Sequence, residues 1–120
     1  RDIKDAGSYA KRELRPYQGK AFLIFHPSLG YLADEYGLVQ ESIEYEGKEP
    51  SPAHMKEMVD LARRKNIKAI FVQKGFDRRN AEIIAEEIGA TVVTIDPLSL
   101  SWGEELRKTV AALKIALENE

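Results

Sequence analysis

Two residues in this chain occupy matching positions and carry groups able to bind a metal ion or move a proton: His26 in "IFHPSLG" and Asp96 in "TIDPLS". Each follows an apolar run and precedes a proline. Because the residue before proline is pushed toward extended geometry, each pair ends its run and holds the preceding side chain there. An imidazole and a carboxylate are a recurrent ligand pair, the histidine favouring zinc and the carboxylate serving zinc or manganese. The same two groups could instead act as an acid–base pair on a small substrate in a free-standing ligand-binding or enzyme domain. The structural alternatives are a hydrogen-bonded histidine at a strand end and an aspartate that makes a turn. Two ligands are also too few, since zinc generally takes three or four protein groups.

Two further residues bear on that site. Glu49, in "EGKEPSP", is either a loop carboxylate in water or an acceptor for the non-coordinating nitrogen of His26, which would fix the tautomer. His54 is the candidate for a third ligand, but it falls in the first turn of a helix after "SPA", where a solvent-exposed surface position is the simpler reading.

The elements that must position these groups follow from the apolar periods. The runs "AFLIF" (21–25), "LVQESIEY" (38–45), "KAIFV" (68–72) and "TVVTI" (91–95) read as strands, three of them apolar nearly throughout, as strands buried on both faces are. Between them, Leu29, Leu32, Ala33 and Tyr36 keep helical spacing, as do Met55, Met58, Val59 and Ala62, and Ala81, Ile84, Ala85 and Ile88. A last helix over 103–118 aligns Leu106, Val110, Leu113 and Leu117. A first one, with Ile3, Ala6, Ala10 and Leu14 on its stripe, ends before Pro16 and has Gly7-Ser8 in its middle. Ser51 and Pro52 open a helix, while Gly37, Asn66 and Gly89 stand where left-handed caps close one. Fourfold alternation of strand and helix predicts an α/β three-layer sandwich with a parallel four-stranded sheet. In such a sheet ligands bind beyond the carboxyl ends of the strands, and His26 and Asp96 should emerge together there.

Composition narrows the chemistry. The 120 residues are 43% hydrophobic and 32% charged, enough for one domain with a modest core. A net charge of −2 with scattered basic residues gives no footprint for nucleic acid or an anionic membrane. With no cysteine there is no disulfide, thiolate nucleophile or Cys-based zinc motif. Ser28 and Ser99 lie outside any nucleophile elbow, and no glycine-rich phosphate loop follows a strand. No apolar run reaches transmembrane length. The first residue is Arg1, and the expectation is that the chain is a processed or excised portion of something longer.

Five segments in order carry a resemblance: "KAFLIFHPSLGYLADEYGL", "EPSP" before a helix, "NIKAIFVQKGF", "AEIIAEEIGATVV" and "IDPLS". From about residue 15 to 118 the chain resembles the C-terminal lobe of the solute-binding proteins of zinc and manganese ABC transporters. The resemblance implies two α/β lobes holding one metal ion between them, each supplying two ligands. It implies that His26 and Asp96 are this lobe's two, the third and fourth of the family's ligands, and that histidine at the third position favours zinc, with manganese the second candidate. Residues 1–16 would be the tail of the interlobe linker helix and 17–120 the metal-binding lobe. The implied partners are the missing N-terminal lobe and the membrane permease of an ABC importer, working at the periplasmic or extracellular side of the membrane, with no enzymatic activity. Zinc binding by this lobe alone should be weak, should depend on His26 and Asp96 and not on His54, and should fade as pH drops below the ordinary histidine value of about 6.5.

Overall fold

The computed structural model describes residues 2–99 and 102–118, without the side chains of 2–5 and 102, so Ile3's part in the first apolar stripe lies outside the described set. The elements run α1 (Asp2–Leu14), a 3-10 turn (Arg15–Tyr17), β1 (Ala21–Ile24), α2 (Gly30–Tyr36), β2 (Val39–Ser42), α3 (Pro52–Arg64), β3 (Ala69–Gln73), α4 (Arg79–Ile88), β4 (Thr91–Ile95) and α5 (Trp102–Leu117). All strand pairings are parallel, in the order β2-β1-β3-β4. This is the expected sheet. Gly7-Ser8 does not interrupt α1, whose buried Ala6, Ala10 and Leu14 tie it to the core on both sides of the glycine. The strand expected over 38–45 stops at Ser42, and that shortening matters for the site.

Local chemistry places the helix ends. The Ser51 Oγ accepts the His54 backbone N–H at 3.1 Å and Pro52 opens α3, where a missing N–H leaves nothing unpaired. Gly37 (φ 71°) and Gly89 (φ 70°) close α2 and α4 in the left-handed region, their N–H groups reaching Ala33 O and Ala85 O. Asn66 (φ 55°) does so beyond α3.

Alternation along the central strands divides the core in two. Phe22, Ile24 and Phe71 face α1, α2 and α5 and pack with Leu14, Leu29, Leu113 and Leu117. Leu23, Ile70 and Val72 face α3 and α4 and pack with Ile43, Leu61, Ala81 and Ile84. Every residue of β1 is buried, so no polar side chain competes for the interior of the sheet. Phe22 and Phe71 meet edge to face, centroids 6.0 Å apart, which ties β1 to β3 on the first face.

A polar seam joins α1 to α5. Lys114 Nζ donates to Glu13 Oε1 at 2.8 Å, and the Arg12 and Arg107 guanidinium groups lie 5.6 and 5.3 Å from the Tyr9 ring centre. The hydrogen bond from Lys114, and then that from Arg12, holds the Glu13 carboxyl below the usual glutamate value, while Glu13 raises Lys114. A lowered carboxyl stabilises the fold above its unfolded value, and that contribution is lost as pH falls through the folded one. The thermal midpoint of Lys114→Met should therefore lie slightly below wild type at pH 7. The gap should close as pH drops below about 4.3. A gap of unchanged size at pH 2 would show that Lys114 acts through packing alone.

Candidate metal centre

The strand order opens a crevice at one place. From β1 the chain turns toward β2 on one side, and from α3 it returns to β3 on the other, so the loops after β1 and β3 diverge at their carboxyl ends. Ile24 is in register with Phe71, and Phe71 with Val93. His26 stands two residues beyond this level line and Asp96 three beyond it, at the same edge. β3 alone separates their strands, so the strand axes are two spacings, about 9–10 Å, apart.

His26 is held from two sides. Its Nδ1 lies 2.7 Å from Glu44 Oε1, with the Glu44 side chain only 14% exposed and the imidazole 38%. An ionised carboxylate can only accept, so Nδ1 carries the proton and the Nε2 lone pair is left to the open edge. The imidazole also stacks on Phe76 from the β3–α4 loop, centroids 4.8 Å apart at 24°, and Phe76 in turn meets Phe25 edge-on. The ring therefore has a fixed plane and tautomer, the arrangement found behind metal-binding histidines.

The carboxylate at His26 is Glu44, where Glu49 was expected. Although β2 ends at Ser42, the Ile43 and Glu44 N–H groups still donate to Ile24 O and Phe25 O, each at 2.9 Å. That pairing sets Glu44 against the residue preceding His26. A tight turn through Glu46 (φ 51°) and Gly47 (φ 76°) then separates Glu49 from it. Glu49 is exposed, and its charge acts on Arg79.

Asp96 is fixed through its backbone. Its N–H donates to Glu105 Oε2 at 3.1 Å, and Lys108 Nζ stands 3.7 Å from the other Glu105 oxygen. Its carbonyl accepts the Ser99 N–H at 3.2 Å, so the turn expected of Asp-Pro is present as well. Among the described residues, no hydrogen bond holds the Asp96 carboxylate, and no three acidic or histidine side chains converge into a complete metal site. This edge thus presents an imidazole and a carboxylate, two groups able to bind a metal, with no third converging on them among the described residues.

His54 differs from its expected surface position. Its side chain is 13% exposed, Nε2 lies 3.1 Å from Ser42 O, Nδ1 lies 3.3 Å from Glu57 Oε1, and the ring packs on Tyr45 at 5.2 Å. The sequence reading also passed over Phe76 and Glu105. Neither carries a local signal: an aromatic in a loop reads as packing, and a glutamate in the first turn of a helix looks like solvated charge.

Residues 1–115 match the family described as the periplasmic zinc-uptake complex component A. The high-affinity zinc uptake system protein ZnuA of Bacillus subtilis (strain 168) is 29% identical over 119 residues, which is 98% of this chain and 37% of that protein. A crystal structure of ZnuA superposes with a TM-score of 0.89 at 35% identity, covering 95% of this chain and 45% of that one. A manganese-bound mutant of a periplasmic metal-binding protein from Candidatus Liberibacter asiaticus shares the fold with a TM-score of 0.74 at 22% identity, over 96% of this chain and 47% of that one. The chain thus spans less than half the length of these proteins.

Proposed function

Since the chain belongs to the periplasmic zinc-uptake component A family, we propose that it is the metal-capturing lobe of a two-lobed protein that delivers zinc to an ABC importer outside the cytoplasm. The family is one of metal-uptake proteins and not of enzymes, which sets aside the acid–base reading of His26 and Asp96. In this reading His26 Nε2 and the Asp96 carboxylate are the lobe's two ligands. Glu44 orients the imidazole, Glu105 holds the aspartate's peptide, and the other half of the protein supplies the remaining ligands. α1 would be the end of the helix that joins the halves. The permease of the importer would receive the ion when the halves part.

The observation that carries the proposal is the bond from His26 Nδ1 to Glu44, which leaves the Nε2 lone pair of the neutral ring for a metal ion. Zinc is favoured over manganese because one of the two donors is an imidazole nitrogen. With two protein ligands the remaining coordination positions go to water, so the isolated chain should bind zinc weakly. Calorimetric titration of the chain and of Asp96→Ala tests the carboxylate: affinity should fall at least about tenfold, by analogy with the 10- to 100-fold losses seen when even the partners of ligands are removed. Equal affinity in the two would remove Asp96 from the site.

A further inference from the structure

Resting on that reading of His26 as a ligand, we infer that His54 is a positioning residue of the metal centre, acting through Ser42 and Glu44. The geometry is a continuous chain of polar contacts. His54 Nε2 lies 3.1 Å from the Ser42 carbonyl, and since a carbonyl only accepts, that nitrogen carries a proton. The Ser42 Oγ lies 2.8 Å from Glu44 O and 3.1 Å from Phe25 O, bridging the two backbones that flank the site. Glu44 Oε1 then accepts from His26 Nδ1 at 2.7 Å.

The bridge stands where regular structure has ended. β2 stops at Ser42, and the next residues enter the turn through Glu46 and Gly47. Glu44 therefore depends on its own N–H bond to Phe25 O and on what holds Ser42. His54 is suited to that task because its backbone is itself fixed, as the third residue after the Ser51 cap of α3, and because Tyr45 packs on its ring. The imidazole thus fastens the first turn of α3 to the end of β2. The two histidines carry opposite tautomers when neutral: Nδ1–H at His26, leaving Nε2 for metal, and Nε2–H at His54, leaving Nδ1 beside the exposed Glu57. His54 binds no metal in this scheme; it keeps the carboxylate behind the ligand in place, so zinc binding depends on it indirectly, where the sequence led to the expectation of no dependence.

The test is nitrogen-15 NMR of the metal-free chain at pH 8, above the ordinary histidine range, paired with zinc calorimetry, on wild type, His54→Ala and His54→Gln. The wild type should show the two opposite tautomers. His54→Ala should shift His26 toward Nε2–H and weaken zinc binding about three- to tenfold, less than the loss of a direct partner. In His54→Gln the amide N–H takes the place of Nε2–H, and both readings should return toward wild type. An unchanged His26 tautomer with unchanged zinc affinity in His54→Ala overturns the inference, as does a defect that glutamine leaves unrepaired. Should the tautomer shift while the wild type binds no zinc, the positioning role holds and the metal reading fails.

Discussion

Zinc binding should vanish from the 120-residue chain when His26 becomes alanine. The substitution removes the sole nitrogen ligand proposed for this lobe and leaves one carboxylate, which in water holds zinc hardly better than a free acid does. Loss of a partner behind a ligand costs 10- to 100-fold, so loss of the ligand itself should exceed about a hundredfold and carry binding out of the calorimetric range. The fold should be untouched, because the imidazole is 38% exposed and stands beyond the end of β1, outside both core clusters. Circular dichroism should thus match wild type, while the unfolding free energy should fall by about 1–3 kcal/mol because the 14%-exposed Glu44 carboxylate loses its partner. That combination separates a ligand from a structural histidine. If His26→Ala binds zinc as the wild type does, the ion sits elsewhere.

The largest effect on stability should come from Phe71→Ala. Phe71 is fully buried on β3, the strand that joins β1 to β4, and it meets Phe22 edge to face. Truncating a buried phenylalanine costs about 3–5 kcal/mol from lost transfer energy and the cavity left behind. A domain is stable by about 5–15 kcal/mol, so the variant should be marginal or unfolded at 37 °C. Ile115→Ala is the contrast, since Ile115 is 65% exposed on α5 and should change stability by no more than about 0.5 kcal/mol. Urea titration followed by circular dichroism reads both. A loss below about 1 kcal/mol at Phe71 would mean that the two faces of the sheet are not packed as described.

The fold was legible because its rules are local. Apolar runs such as "AFLIF" and "KAIFV" have the length of buried strands, and the residues capping the helices named their own boundaries. Parallel pairing followed from the helices lying between strands, whereas the order β2-β1-β3-β4 depends on packing among elements distant in sequence. The site was legible only at its proline-marked corners. Glu44 was hidden inside a run read as strand through Tyr45, where alternating side chains disguise a residue whose backbone has already turned to pair beside His26. Glu49 drew attention by standing in an obvious loop. His54 looked exposed because nothing in "SPAHM" reveals that Ser42 and Tyr45 fold back over it. The partners of a binding group are set by tertiary return of the chain, which a linear pattern does not record.

The union of the first and last helices on one face of the sheet also sets an order of assembly. Leu14 and Leu117 share a cluster, and Glu13 reaches Lys114 across 101 positions of sequence. As the polypeptide emerges from the ribosome amino end first, α3 and α4 can cover their face once β3 and β4 are out. The opposite face, with Phe22, Ile24 and Phe71, has only α1 and α2 to cover it until α5 arrives. Contacts between such remote segments form late, because the intervening chain must be ordered before they yield stability. A nascent chain halted before residue 102 would leave the part of that apolar face beneath α5 open to water, and the sixteen-residue α5 would act as the closing latch of the fold.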